Sequence, residues 1–378
     1  MGNRTEGNGP VASRPTAPRS GSPNHARLFE TAEAIMHIAI RVCASVLALA
    51  AVSADGQTLI VGNKAEATVS LVDLGSGEVR ATLPTGEGPH EVEVSADGRW
   101  AVVSDYGVRG SEGNTLTIID VPAARVARTI DLGEHSRPHG MRWLDERRVL
   151  VTTEGSRSVV VVDVVDGEIT TVIPTDQDVS HMVAVTPDGA RAFVANIGSG
   201  TVTVVDLENS TKVADVVTGE GAEGVAVTPD GTQVWVTNRA ADTVTVLATD
   251  GLQEIASLDC PSFPIRAEAT PDGRHVIITG ARSGDLSVFT TDPPQRVRTI
   301  SFDSEAADAE GRLFGDRFGD SPVPIGIEIA PDGATAWVAL ANADRIAVVD
   351  LGSWQVTGTL AAGKEPDGMD YSARSVSR

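Results

Sequence analysis

The 378-residue sequence predicts an all-β fold. Its expected form is a seven-bladed β-propeller of four-stranded antiparallel blades, with the ring closed by pairing of N- and C-terminal strands. Three observations carry this. A turn motif recurs about every forty residues. The segments between turns are short runs of Val, Ile, Leu, Thr and Ala with period-two alternation. And the strand count leaves one inner strand at the C-terminus with nothing to pair except the first blade.

Taken from the N-terminus, residues 1–35 are rich in Gly, Pro, Ser, Arg and Asn without an apolar period, and read as a disordered extension ahead of the true start. From Met36 there follow a basic residue, an apolar run and the small-residue exit Val52-Ser53-Ala54. That is the layout of a signal peptide over 36–54, which implies a periplasmic, secreted or cell-surface protein. The competing reading makes Ala48–Val52 an ordinary first strand and leaves the protein in the cytoplasm. The run is too short and too near the first repeat to serve as a transmembrane anchor.

The propeller is expected over 55–372, with a tail at 373–378. Ser53-Ala-Asp-Gly56 recurs as Ser95-Ala-Asp-Gly98, Thr186-Pro-Asp-Gly189, Thr228-Pro-Asp-Gly231, Thr270-Pro-Asp-Gly273 and Ala330-Pro-Asp-Gly333, with Leu144-Asp-Glu-Arg147 as a degenerate copy. Neighbouring copies lie 42 residues apart at Asp188, Asp230 and Asp272. After each turn comes an apolar strand ending in Asn or an acid, a second turn, and a strand such as Thr201-Val-Thr-Val-Val-Asp206. A last strand such as Lys212–Val217 completes the set. Pro fixes φ and Gly accepts φ > 0 in such turns. A single blade cannot bury both faces, whereas a closed ring can, and it leaves only short edges.

The segments Ala192-Phe-Val-Ala-Asn196, Thr201–Asp206 and Gly224-Val-Ala-Val-Thr-Pro-Asp-Gly231 resemble the YVTN-repeat, YncE-like β-propellers over about residues 55–372. The repeat is also similar to those of surface-layer proteins, lactonase propellers and the propellers of denitrification enzymes. The resemblance implies the fold and brings no cofactor motif, because the shared residues form turns and core.

Outer three-strand sets begin near residues 58, 99, 149, 191, 233, 275 and 334, while inner-strand candidates begin near 49, 91, 140, 182, 224, 266, 326 and 368. Removal of the first inner candidate with a signal peptide makes Gly368–Ser372 the inner strand of the first blade.

Propeller loops alternate between two faces. The unusual loops all fall on the face that carries the entries to the inner strands. Two insertions lie there, Tyr106–Asn114 and Asp303–Pro324. The second holds Arg312, Phe314, Arg317 and Phe318, and is expected to form a partly ordered lid over the channel. The alternative is a solvated loop.

The residue just ahead of each inner strand is, in blade order, Asp367, His90, His139, His181, Glu223, Ile265 and Ile325. Five neighbouring blades thus present acids and imidazoles and two present Ile. Such an arc suits a ligand, or a divalent metal such as Zn²⁺ or Cu²⁺ on His90, His139 and His181. It also suits acid–base work near neutral pH. The plain alternative is that each His bonds a neighbouring blade's backbone. A second ring three residues deeper, Glu93, Arg142, Ala184, Ala226, Glu268, Glu328 and Asp370, is expected to line a mostly acidic bore, with Arg142 and Arg266 as counter-charges. A third row, Asn63, Asp105, Glu154, Asn196 and Asn238, reads as turn-formers further from the axis.

A net charge of −22 disfavours phosphate backbones and hence nucleic acid. The two cysteines, Cys43 and Cys260, make neither a disulfide framework nor a metal cluster. No Gly-x-Ser-x-Gly elbow, Walker loop, His-Glu-x-x-His or Cys-x-x-Cys-His occurs. The leading expectation is a monomeric, non-catalytic, exported binding or scaffold propeller with a small molecule or protein at the channel mouth. Its rivals are a metal-assisted or acid–base hydrolase of lactonase type using the same arc, and a cell-envelope interaction protein that uses the blade sides.

Overall fold

The computed structural model describes residues 56–303, 312–313 and 317–377. The proposed extension and signal peptide, and Phe314 of the second insertion, lie outside the described residues.

Among the described residues, twenty-eight strands form seven four-stranded antiparallel sheets. Six sheets are consecutive in sequence. The seventh unites Pro366–Ser372 with Thr58–Asn63, Thr68–Asp73 and Val79–Pro84. Its closing register sets Thr58 opposite Ser372 and Ile60 opposite Asp370. The expected closure of the ring is thereby present: the last strand supplies the innermost position of blade 1.

The hairpins follow from local chemistry. In the Pro-Asp-Gly turns the Thr hydroxyl donates to the Asp carboxylate, at 2.6 Å for both Thr186–Asp188 and Thr228–Asp230. Gly189 and Gly231 take φ of 70° and 71°, a conformation that favours glycine. The outermost strands alternate exposed and half-buried residues, as in Thr211–Val217, because one face meets solvent. The middle strands, such as Arg191–Asn196 and Thr201–Asp206, are almost wholly buried.

Packing between blades supplies the rest of the closure. Leu59, Val61 and Val72 of blade 1 join Trp337, Ala339 and Ile346 of blade 7 in one cluster. Ile60, Val69 and Leu71 join Val92, Ala101 and Val103 of blade 2 in another. Each fully buried Val, Ile or Leu contributes about 1.5–3 kcal/mol, so these contacts outweigh any single ladder bond. Residues 373–377 continue along the floor: the Arg374 carbonyl accepts from Thr58 Oγ1 at 2.8 Å, and the Ser377 amide donates to the Pro122 carbonyl at 2.7 Å.

One irregularity repeats in every blade and positions the site. The inner strands are Pro89–Val94, Pro138–Trp143, Ser180–Val185, Ala222–Val227, Pro264–Ala269, Pro324–Ile329 and Pro366–Ser372. Each slips register against its neighbour at its second and third residues. A β-bulge of this kind re-aims side chains that strict alternation would separate. Glycine at the third position lets the next blade come close: a Cβ on Gly140 would lie 2.7 Å from the His181 carbonyl oxygen.

Candidate functional site

The bulges collect Asp367, His90, His139, His181, Glu223, Ile265 and Ile325 at the mouth, all buried. The three imidazoles form a tilted row: ring centroids are 4.1 Å apart for His90–His139 and 3.6 Å for His139–His181, against 6.4 Å for His90–His181. They line or adjoin a chamber of about 260 Å³ whose other side is apolar, with Phe263, Ile265, Phe318 and Ile325.

The outer imidazoles are held and the central one is not. Lys64 Nζ lies 2.5 Å from His90 Nε2 and donates to Asp367 Oδ2 at 3.0 Å, and His90 Nδ1 lies 3.1 Å from the same carboxylate oxygen. Burial, with the Lys64 charge, depresses the His90 pKa to about 4. Burial works the other way on Asp367, but Lys64 and His90 overcome it and hold that carboxyl well below its usual range. His181 Nδ1 is 2.5 Å from Glu154 Oε1, and its Nε2 is 3.4 Å from Glu223 Oε1. Burial favours neutral His181, yet these two carboxylates win and raise its pKa. Glu223 is brought down to about 2 against burial, by His181 and by Arg239, which donates to it at 2.7 Å. His139 is fully buried, and among the described residues neither of its ring nitrogens has a hydrogen-bond partner. Burial and the flanking His181 and His90 push it well below the ordinary imidazole range, so it is neutral.

The second ring lines a separate lower chamber of about 220 Å³, with Glu93, Arg142, Glu268, Glu328 and Asp370 in its wall. Arg142 pairs with Glu93. Ala184 and Ala226 are buried but do not border this space. Arg266 plays a different part from the one its sequence position suggests. Its guanidinium pairs with Glu91, across the axis in blade 2, and lies 3.8 Å from Glu223 and 4.0 Å from Asp367. It borders both chambers and neutralises the mouth rather than the acidic bore.

Of the third row, the asparagines are turn-formers: Asn196 Nδ2 donates to Thr201 and Thr203, and Asn238 repeats this with Thr243 and Thr245. Glu154 departs from them. It reaches the chamber, accepting from Tyr106 Oη at 2.6 Å and from His181. It is the one long side chain in a row of short ones, which is the signal that sets it apart.

The first insertion forms an extended hairpin, Trp100–Val108 with Ser111–Asp120, and delivers Tyr106. In the second, Phe318 is buried against Phe263, with centroids 5.4 Å apart, and Arg312 pairs with Asp344 at 2.7 Å.

A family model described as YNCE-like beta-propeller matches residues 31–149. That match and the seven blades together support a YncE-like seven-bladed propeller. A second model, Cytochrome D1 heme domain, matches residues 144–283 of the propeller. Among solved structures, hydrazine synthase of Kuenenia stuttgartiensis is similar at 16% identity and a TM-score of 0.62, over 74% of this chain and 88% of that one. A functionally unknown protein from Desulfotomaculum acetoxidans DSM 771 is similar at 14% identity and a TM-score of 0.68, over 85% and 99%. At these identities the likeness is one of fold. A comparison with curated proteins finds no match. Among the described residues no helix is long and apolar enough to cross a membrane.

Proposed function

We propose that this propeller is a non-catalytic, exported binding protein that holds a small acidic molecule with an apolar body in its mouth chamber. Export rests on the sequence of residues 36–54 alone. The observation that carries the binding reading is the two-sided chamber. Arg239, Arg282 and Arg317 all stand within 5.3 Å of the Phe263 ring, beside Ile265 and Ile325, in a chain whose net charge is −22. Gathering arginines on an aromatic ring at the end of an otherwise acidic channel suits an anionic group whose body lies on the apolar arc. Ser262 and Phe263 both take positive φ, 85° and 63°. Consecutive non-glycine residues in that region cost about 1–3 kcal/mol each, and such strain clusters at ligand clamps.

The heme-domain match raises a haem as the occupant. The described residues do not fit one. Drug-sized ligands fill pockets of roughly 300–1,000 Å³, a tetrapyrrole is no smaller than these, and the chamber is about 260 Å³. Lys64 already occupies Nε2 of His90.

The hydrolase reading has one observation in its favour, the His and Glu groups spaced for a metal ion. A metal assay bears on it below.

Native mass spectrometry of protein purified from its own host tests the binding reading. The expected result is a bound small-molecule mass that is released on acid denaturation and absent from an Arg239→Glu, Arg317→Glu variant. A bare polypeptide mass, or the same adduct on both proteins, overturns it.

A further inference from the structure

Buried imidazole nitrogens without partners are costly, because a desolvated polar group forfeits its bonds to water. His139 carries two of them at zero exposure. Its neighbours offer two sets of possible ligand atoms within 4.8 Å of one another: His90 with Glu91, and Glu154 with His181. The first set is occupied by cations. Lys64 holds His90 and Arg266 holds Glu91, and both repel a dication.

The second set has what a metal needs. Glu154 Oε1 and His181 Nδ1 converge at 2.5 Å, and their far atoms are fixed by a complete outer layer. Glu154 Oε2 accepts from Tyr106 Oη, which itself accepts from Arg137 at 2.9 Å. His181 Nε2 faces Glu223, and Glu223 is anchored by Arg239. A carboxylate behind a histidine is the arrangement that orients metal-binding imidazoles.

We propose that His139, Glu154 and His181 bind one divalent transition-metal ion, as two imidazoles and one carboxylate, with its remaining positions open to the mouth chamber. This deepens the binding reading above and rests on it for the chamber's role, since the ion would meet the acidic group of the bound molecule. Two nitrogens and one oxygen suit Zn²⁺, Co²⁺ or Cu²⁺ rather than Ca²⁺ or Mg²⁺, which prefer all-oxygen shells. Binding displaces the proton shared by His181 and Glu154, so one proton leaves the site and affinity falls as pH falls.

The test uses the full chain stripped with a chelator and titrated with Zn²⁺ by calorimetry, and with Co²⁺ by visible absorption. One equivalent should bind. Affinity should fall at least 100-fold in His139→Ala and in the near-isosteric Glu154→Gln, and about 10-fold in Glu223→Gln, whose side chain acts only through His181. Lys64→Met, which removes a repelling cation from the other set, should not weaken it. Thermal unfolding confirms that each variant is folded, and Glu154→Gln retains the shape of the site if His139→Ala does not fold. Stoichiometric binding that survives both ligand substitutions, or no binding above that of Mg²⁺, overturns the site. Failure here with the small-molecule adduct intact refutes the metal alone. Zn²⁺ bound in one equivalent with no adduct refutes the small-molecule reading and leaves the metal site standing.

Discussion

The two chambers of the channel share a wall, the Arg266 side chain, and treat their carboxylates in opposite ways. In the mouth each acid of the wall has a basic side chain beside it. Glu223 has Arg239 and His181, Glu154 has His181, and Asp367 has Lys64. In the lower chamber Glu93, Glu268, Glu328 and Asp370 share Arg142. Burial therefore wins there. It raises Glu93 to about 8 and Glu268 to about 7, against the pull of Arg142, and Asp370 to about 6. In the mouth, pairing wins over burial for Glu223 and Asp367. Equal burial thus leaves Glu223 and Asp367 charged beside their cations, whereas Glu91, which pairs with Arg266 but borders the lower chamber, is raised with the acids there. The mouth holds fixed charges suited to recognition, and the lower chamber holds acids whose hold on protons is raised.

Removing the shared wall should break this contrast most severely. Arg266→Met leaves Glu91, Glu223 and Asp367 short of a counter-charge in a buried site. Loss of one partner of a buried pair costs about 3–5 kcal/mol, and urea unfolding at pH 7 should report a loss of that size. A cost below about 1 kcal/mol would mean that the guanidinium is solvated and does not divide the channel.

Glu223→Gln should cost about 1.5–3 kcal/mol at neutral pH, the range for hydrogen bonds to charged groups. The folded Glu223 pKa, about 2, lies below its ordinary value of 4.5. Its contribution is therefore complete above the unfolded pKa and is lost as pH falls through the folded one. Urea unfolding at pH 7 and pH 3 should show the gap between wild type and variant narrowing at the lower pH. A gap that stays constant contradicts the paired mouth.

Glu268→Gln sharpens the comparison with the opposite sign and the smallest effect. Here the folded pKa is raised to about 7, so the acid's stability is complete below 4.5 and is lost as pH rises through 7. The variant never ionises and escapes that loss. Its Tm should match wild type near pH 4.5 and exceed it by about 2–4 °C at pH 8. A lower Tm at pH 8 would show that ionised Glu268 has a partner the lower chamber does not supply.

Much of the fold was legible because its cause is local. The Thr-Pro-Asp-Gly turns dictate their own hairpins through the Thr–Asp bond and the glycine φ, and period-two runs of Val and Ile mark faces that must be covered. The surplus inner strand at Gly368–Ser372 had to close the ring, because no other blade lacked one. The arc of Asp367, His90, His139, His181 and Glu223 was legible for the same reason: a repeat puts equivalent residues at equivalent places.

The partners of the arc were not legible, because they come from other blades and other loops. Glu154 stands in a row whose other members only tie turns, and Tyr106 arrives on a hairpin whose length is visible but whose direction is not. Glu91 and Arg266 are hidden by alternation itself. Each follows a mouth residue directly, so an unbroken strand would turn one of the two away from the axis. Sequence alone determined the number of blades, their turns and the ring that gathers the pre-strand residues, since the turns rest on contacts within one repeat and the ring on the strand count and on blade faces that must be covered. The bulge at the second and third positions of every inner strand brings both residues to the channel, and only the closed tertiary structure decided it, because the distortion answers to the crowding of seven strands around one axis.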